Sequence, residues 1–205
     1  MAKLPGTIEH TPLRWNIGRF AFTLEWRNRL QVSNNSRHET SPGAQMNLPK
    51  RPLGSSGLQI TTVGFGAWAI GGGGWAFSWG PQDDDESIVT MRRALELGVN
   101  WIDTAAVYGL GHSEEVVGKL LRNLPSSERP LIFTKCGLTW DPNNPMQQAK
   151  RVLKPETIRR ECEASLRRLG IERIDLYQFH WPDEMGTPVE DSWAEMVKLI
   201  EEGKV

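Results

Sequence analysis

The segment Asn100-Trp-Ile-Asp-Thr-Ala-Ala-Val-Tyr-Gly109 predicts a short buried strand that ends in a carboxylate and is followed five residues later by a tyrosine. The chain continues through Leu-Gly-His to Ser113-Glu114-Glu115, which is typical of a helix start. The whole chain holds two tyrosines, Tyr108 and Tyr177, so a tyrosine in a glycine-flanked loop suggests a chemical role. Taken alone, the segment has a structural alternative, in which Asp103 caps a turn and Tyr108 fills a crevice.

Short apolar runs with strand character recur on both sides of this segment. The first is Ile60 to Gly66, a β-branched run that is closed by glycines. A small hairpin over residues 50–60, which turns at Gly54 to Gly57, precedes it. The remaining strands are predicted at 99–104, 131–135 and 174–180.

Helical periodicity fills the intervals between these strands. An acidic first turn at Asp83 begins one helix and Gly98 ends it; Ser113 is the predicted N-cap of a second, and Pro155 to Gly170 bounds a third. The predicted inward positions of these three helices are Ile88, Met91 and Leu95, then Val117, Leu120 and Leu121, then Ile158, Cys162, Leu166 and Leu169.

A fourth helix is predicted to begin at a capping box, Thr187-Pro-Val-Glu190. Its buried face is expected to carry Val189, Trp193, Met196, Val197 and Ile200.

Regular alternation of strands and helices predicts parallel βα units, for which a doubly wound sheet and a (βα)8 barrel are the two candidate architectures. Gly64-Phe-Gly66-Ala-Trp-Ala69 formally matches the dinucleotide-binding pattern G-x-G-x-x-A. That pattern must open directly into a helix. Here Gly71 to Gly74, Trp75 and Pro81 follow, so we expect a long loop that carries aromatic side chains.

Titratable side chains stand at or just after the ends of the later strands. Asp103 closes the second strand, Lys135 the third and His180 the fourth, and Tyr108 lies in the loop after the second. In a βα barrel all of these positions lie on the carboxyl-end rim, where active sites are built. Each residue has a structural explanation by itself, but together they favour a catalytic site.

Composition restricts the function further. The 205 residues make one domain or slightly more, with a formal net charge of −1 and no basic stripe, which argues against a nucleic-acid partner. No apolar run approaches the roughly 18 residues of a membrane span. Cys136 and Cys162 form neither a metal-ligand pattern nor a disulfide framework, which is typical of a reducing cytoplasm. The sequence leaves the oligomeric state open.

Residues 1–45 differ from the remainder. No helical or strand period is sustained there, and Ser33-Asn-Asn-Ser-Arg37 and Ser41-Pro-Gly43 are typical of turns or disorder. We expect an irregular extension, with Met46 as the natural first residue of a domain that covers 46–205.

The motifs resemble those of the aldo-keto reductase family. The resemblance is carried by Asp103-Thr-Ala-x-x-Tyr108-Gly with Gly111-His-Ser-Glu-Glu115, by Thr134-Lys135, by Asp175-Leu-Tyr-Gln-Phe-His180, and by the terminal Glu-Gly-Lys-Val. Four spaced elements in this order are specific, and they run from about Lys50 to Val205. The Tyr-Gly-Leu-Gly-His-Ser-Glu-Glu and His-Trp-Pro-Asp variants look most like bacterial members grouped with inositol-operon and general-stress reductases.

This resemblance implies NADPH-dependent reduction of an aldehyde or ketone, with NADH not excluded. Tyr108 would be the general acid that protonates the carbonyl oxygen, and Lys135 would lower its proton affinity. Asp103 would keep Lys135 charged and fixed, and His180 would orient the carbonyl. Which carbonyl compound is reduced cannot be read from these residues.

The resemblance also implies contacts around the acid–base groups. Gly66, Ala67, Trp68 and Asp103 are expected to bind the cofactor. An apolar substrate wall is expected from five tryptophans: Trp68, Trp75, Trp79, Trp140 and Trp181.

The chain departs from the family pattern in one respect. The serine–asparagine pair that follows the fifth strand in the family, and the later basic residues that select the NADP phosphate, are absent. Four βα units cannot close an eight-stranded barrel, so we expect an incomplete barrel, a fragment of a longer gene product that binds NADPH poorly and turns over little. The alternative is a non-catalytic binding or regulatory module on the same fold, as in potassium-channel β-subunits.

Overall fold

The structure, a computed structural model, describes residues 48–205. The predicted irregular extension over 1–45 and the predicted domain start at Met46 lie outside the described residues. Within 48–205, no helix is both long and apolar enough to cross a membrane.

The described chain begins with the predicted hairpin. Strand β1 (Lys50–Pro52) pairs antiparallel with β2 (Gln59–Thr61), and Gly54 and Gly57 both have positive φ in the turn between them. The prediction that Ile60 to Gly66 forms one strand of the main sheet is wrong. Ile60 and Thr61 both belong to the hairpin, where Thr61 pairs with Lys50, and only Phe65–Gly66 joins the main sheet. The backbone N–H of Thr61 donates to Asn100 Oδ1 at 2.7 Å.

The main sheet contains four parallel strands. These are β3 (Phe65–Gly66), β4 (Trp101–Asp103), β5 (Leu131–Cys136) and β8 (Leu176–Phe179). They lie side by side in chain order, β3-β4-β5-β8. A doubly wound sheet reverses its strand order at a switch point, and the described strands do not, so the barrel-type arrangement is the correct alternative.

A short antiparallel pair follows β5 and was not predicted from the sequence. Strand β6 (Leu138–Thr139) pairs with β7 (Lys150–Arg151), and the loop between them carries residues 140–149. Two-residue strands carry too little periodicity to be recognised in a sequence.

Within residues 48–205, four α-helices connect and cover the strands. They are α1 (Asp84–Glu96), α2 (His112–Arg122), α3 (Pro155–Leu169) and α4 (Val189–Glu201). Asp83 caps α1 by accepting from Glu86 N, and Gly170 ends α3 in the left-handed conformation, both as predicted. Short 3₁₀ turns cover Ala69–Gly71, Tyr108–Gly111 and Ser126–Glu128.

The predicted N-cap of α2 is wrong by two positions. The helix begins at His112, with Gly111 as its N-cap, and Ser113 lies inside the first turn with its side chain fully buried. Ser113 Oγ donates to Ala67 O at 2.8 Å instead of capping its own helix. The hydroxyl thus bonds a residue that is distant in sequence instead of the backbone of its own helix.

The start and the buried face of α4 also differ from prediction. Pro188 is the N-cap and makes no side-chain capping bond, so the capping box at Thr187 is wrong. Met196 is buried as expected, whereas the four other predicted face residues are exposed: Val189, Trp193, Val197 and Ile200. The helix buries Ser192, Glu195 and Leu199 instead, because Ser192 Oγ donates to Leu153 O and Glu195 accepts from Arg159 Nε.

Two buried apolar clusters lie between the sheet and the helices. The first joins β4 and β5 to α1 and α2, and its members include Met91, Ile102, Val116, Leu120 and Ile132. The second joins β8 to α3 and α4 through Ile158, Cys162, Ile174 and Leu199. The inward positions predicted for α2 and α3 are buried here, except that Leu166 is partly exposed. The result is a sheet whose carboxyl-end rim is free to carry a site.

Candidate active site

The four predicted titratable residues lie together at the carboxyl-end rim of the sheet. Asp103 is the last residue of β4, Lys135 is the penultimate residue of β5, and His180 follows β8 directly. Tyr108 stands at the start of the 3₁₀ turn after β4. Because the strands are parallel and adjacent, these sequence-distant side chains share one edge.

Lys135 and Asp103 form the expected ion pair. Lys135 Nζ donates to Asp103 Oδ2 at 2.7 Å and to the carbonyl oxygen of Thr104 at 2.9 Å. The two side chains are 14% and 28% exposed, so the pair is only partly screened by water. The Lys135 side chain is therefore fixed and oriented by Asp103 and Thr104 at the end of β4.

Tyr108 lies at the centre of the cluster. Lys135 Nζ is 5.2 Å from the centroid of the tyrosine ring, and the His180 ring meets the tyrosine edge-on with 5.6 Å between centroids. The Trp68 ring stacks on the tyrosine ring, with 5.9 Å between centroids and 10° between the ring planes. Tyr108 is 9% exposed, which holds its ring in one orientation.

The pKa values of this cluster depend mainly on burial. Burial, followed by the negative charge of Asp103, raises the pKa of Tyr108 to about 12. This is opposite to the lowering that was expected from Lys135. Burial, followed by the positive charge of Lys135, lowers the pKa of His180 to about 4, and Asp103 opposes that effect. At neutral pH the cluster therefore holds a protonated phenol and a neutral imidazole.

A cavity of about 490 Å³ opens beside these groups. Its lining combines aromatic, aliphatic and polar side chains: Trp68, Trp75, Phe77, Val107, Tyr108, Leu138, Gln148, Ala149, Arg151, His180, Trp181 and Glu184. The volume suits a small organic molecule, and the mostly apolar wall with a few polar groups is typical of a ligand pocket.

Three of the five tryptophans predicted for the substrate wall line this cavity: Trp68, Trp75 and Trp181. Trp79 is 75% exposed and instead contacts Trp68, with 5.3 Å between ring centroids. Trp140 is partly buried against the cluster that includes Trp75 and Tyr108, but it is not part of the lining.

Of the positions predicted to bind a cofactor, Gly66 and Trp68 are exposed and Ala67 is buried. Gly66 is exposed, and a Cβ added there would meet no atom within 4 Å, so open space lies beside the end of β3. Trp68 is also exposed. Ala67 is fully buried, and its N–H and carbonyl are bonded to Asp103 O and Ser113 Oγ. Gly66 and Asp103 are register partners, so this open backbone lies beside the strand end that carries Asp103.

Sequence reasoning missed the polar side of the cavity. The Arg151 guanidinium lies 4.6 Å above the Trp181 ring and bonds Glu184 at 2.6 Å. Gln148 stands nearby in the β6–β7 loop. No spacing or strand end marked these residues, because the hairpin that brings Arg151 to the cavity was itself not predicted.

Within residues 48–205 no group of three or more His, Cys, Asp or Glu side chains is arranged to hold a metal ion. The groups present at the rim are the Tyr108 hydroxyl, the His180 ring nitrogens and the Lys135–Asp103 pair.

Parallel βα units with a tyrosine, a lysine–aspartate pair and a histidine at the carboxyl-end rim define a protein of the βα-barrel class. The chain belongs to the aldo/keto reductase family, since the model of that family matches residues 62–205.

Relatives of known name support this assignment. Aldo-keto reductase YhdN of Bacillus subtilis (strain 168) is 39% identical over 153 residues, which is 75% of this chain and 44% of that protein. The NADH-specific methylglyoxal reductase of Escherichia coli (strain K12) is 39% identical over 167 residues, covering 77% of this chain and 50% of that protein. This chain thus spans half, or slightly less, of the length of these relatives.

A solved structure gives the same fold assignment. The glycerol dehydrogenase AKR11B4 from Gluconobacter oxydans superimposes with a TM-score of 0.65 and is 44% identical, covering 76% of this chain and 46% of that one. The four-stranded sheet is therefore part of a barrel-type architecture, and the predicted incomplete barrel is confirmed.

Proposed function

We propose that this chain carries the acid–base groups of a nicotinamide-dependent carbonyl reductase, which converts an aldehyde or ketone to an alcohol. The observation that carries the proposal is the contact of Tyr108 with both Lys135 and His180 at the wall of one cavity. If each of these residues had only a separate structural role, there would be no reason for the three side chains to contact one another.

Tyr108 is the proposed proton donor. Its raised pKa keeps the phenol protonated at neutral pH, which is the form that reduction of a carbonyl consumes. The charge that develops on the phenolate oxygen is stabilised by the Lys135 ammonium, and Asp103 holds that ammonium in position. Neutral His180 offers a ring nitrogen to orient the carbonyl oxygen of the substrate.

A reduced nicotinamide supplies the hydride when it is bound. Gly66, Trp68 and Asp103 are the proposed contacts, since they border open space at the strand ends. Ala67 is buried, and its bonded backbone holds the neighbouring Gly66 and Trp68 in place. NADPH is the proposed cofactor. NADH is the alternative, because one relative is named an NADH-specific reductase.

The proposed substrates are small oxygenated aldehydes and ketones. The cavity combines tryptophan walls with a polar side formed by Gln148, Arg151 and Glu184. Two relatives are named for methylglyoxal and for glycerol, both small and oxygen-rich. We also propose a cytoplasmic location, because both cysteines are buried free thiols.

The test is carbonyl-dependent oxidation of NADPH and of NADH, followed by the nicotinamide absorbance with methylglyoxal, glyceraldehyde and benzaldehyde. Because the chain spans about half the length of its curated relatives, the assay uses the 205-residue chain and the longest gene product that contains it. Turnover in either form supports a reductase. Tight cofactor binding without turnover of any carbonyl would favour the non-catalytic module.

A further inference from the structure

We infer that Ser113 and Glu114, in the first turn of α2, are positioning residues that hold the ends of three neighbouring strands and thereby fix Lys135 beside the Tyr108 ring. The inference rests on the proposed function, because it concerns the cation that stabilises the Tyr108 phenolate. Neither residue touches the cavity, so neither is proposed as catalytic.

Ser113 connects α2 to two strand ends. Its hydroxyl is fully buried and donates to the carbonyl oxygen of Ala67 at 2.8 Å. Ser113 Oγ also lies 2.9 Å from Thr104 Oγ1. A serine hydroxyl has one proton, so Thr104 must be the donor in the second bond. The serine therefore joins the residue after β3 to the residue after β4.

Glu114 connects the same helix turn to the third strand. Its carboxylate has no solvent exposure. Oε1 accepts from Thr134 Oγ1 at 2.6 Å, and Oε2 accepts from Arg168 Nε at 2.7 Å. A buried carboxylate is tolerated only when its oxygens are bonded and its charge is matched, and here β5 and α3 supply both conditions.

These contacts fall immediately beside the proposed site residues. Thr104 follows Asp103, and Thr134 precedes Lys135. Thr104 also uses its carbonyl oxygen to accept from Lys135 Nζ at 2.9 Å. One residue thus reaches α2 with its hydroxyl and Lys135 with its backbone. Displacement of either strand end would release the ammonium.

Close packing of α2 on α3 makes this arrangement possible. A Cβ added at Gly118 would lie 2.4 Å from the carbonyl oxygen of Arg168, so only glycine allows the two helices to approach this closely. That approach brings the Arg168 guanidinium to Glu114 at the far end of the buried network.

The test measures how well Lys135 is held, without requiring turnover. The folded 205-residue chain is treated with an amine-acylating reagent, and the acylation rate of each lysine is read by mass spectrometry, with exposed Lys119 as the internal reference. Ser113→Ala and Thr104→Val each remove the Ser113–Thr104 bond. We expect Lys135 to react about fivefold faster in both variants, the ratio expected for one lost hydrogen bond.

Two variants separate positioning from general stability. Ser192→Ala removes another fully buried serine, whose Oγ donates to Leu153 O at 2.7 Å and makes no hydrogen bond to Thr104, Thr134 or Lys135. Thr104→Ser keeps the hydroxyl that bonds Ser113. Both should leave the Lys135 rate unchanged. In a form that turns over, Thr104→Val should lower kcat with little change in KM, and Thr104→Ser should restore it.

Equal Lys135 acylation in the parent chain, Ser113→Ala and Thr104→Val would overturn the inference, and so would an equal increase in Ser192→Ala. Because acylation does not depend on turnover, a failure of the reductase proposal would leave this result readable.

Discussion

The ammonium nitrogen of Lys135 lies 2.7 Å from Oδ2 of Asp103, across the parallel pairing of β4 and β5. The carbonyl oxygen of Thr104 provides its second acceptor. This pair holds a positive charge beside the Tyr108 ring. Both side chains are mostly buried, so water screens that charge only partly. After burial, the charges of this pair are the largest causes of the pKa shifts of Tyr108 and His180.

Asp103→Asn should lower the free energy of unfolding by about 1 to 3 kcal/mol at neutral pH, because it leaves a mostly buried cation without its counter-charge. The measurement is urea denaturation. Glu96→Gln is the matched control, since it breaks an ion pair with Arg93 in which both side chains are more than half exposed. That change should cost less than about 0.5 kcal/mol. Equal losses in the two variants would show that the Lys135–Asp103 pair is not specially stabilising.

His180 should remain neutral over the whole range from pH 5 to pH 8. Its pKa is lowered to about 4, so its folded-state stabilisation is lost only as pH falls from its ordinary value of 6.5 toward 4. Lys135→Met removes the second-largest cause of this lowering and should move the NMR titration of His180 upward. Lys119→Met, which removes a lysine that pairs with Asp84, should not. A downward or absent shift in Lys135→Met would contradict the geometry of the rim.

Glu161 should make the protein less stable as pH rises. This carboxyl is largely buried in α3, accepts from Gly137 N at 3.0 Å, and has one oxygen without a partner among the described residues. Burial raises its pKa to about 7, so the folded state favours the protonated form. The resulting loss of stability develops from about pH 4.5 to pH 7 and persists above it.

Glu161→Gln should therefore stabilise the protein by about 1 to 3 kcal/mol at pH 8 and have little effect at pH 5. Urea denaturation at the two pH values gives the comparison. Glu163→Gln, on the same helix, is the control. Its carboxyl pairs with Lys204 and has a lowered pKa, so the change should destabilise equally at both pH values. The Glu161 account fails if Glu161→Gln has the same effect at pH 5 and pH 8.

Gly71→Ala should displace the loop that carries Tyr108. A Cβ at Gly71 would lie 2.6 Å from the backbone nitrogen of Gly109, and backbone atoms cannot move away as a side chain can. We expect a loss of about 1 to 3 kcal/mol in the free energy of unfolding and weaker carbonyl reduction. At Gly73 the nearest atom is 3.5 Å away, an ordinary contact, so Gly73→Ala should be nearly neutral. Thermal unfolding of the two variants decides between these outcomes.

The sequence was most informative where titratable residues recur at strand ends. Asp103, Lys135 and His180 follow strongly apolar runs, and parallel pairing alone brings such ends together. The predicted αβ alternation and the bounds of α1 and α3 were also confirmed, because their acidic first turn, proline and glycine are local signals.

Features that depend on tertiary partners could not be read in this way. Ser113 has every local property of an N-cap, but Ala67 and Thr104 compete for its hydroxyl and prevail. The apolar stripe of α4 predicted the wrong buried face, because a buried serine and a buried glutamate make specific bonds. The pKa of Tyr108 was misjudged because burial and the negative charge of Asp103 both raise it.

The most direct test of the reductase proposal is the carbonyl-dependent NADPH oxidation rate of Tyr108→Phe. Tyr177→Phe is the matched control, since it removes the other tyrosine hydroxyl, which is buried under α3 and makes one long contact to Ile158 O. The account predicts that Tyr108→Phe lowers kcat about 100-fold or more, while Tyr177→Phe stays close to the parent protein. A Tyr108→Phe protein that reduces carbonyls at the parent rate would contradict it.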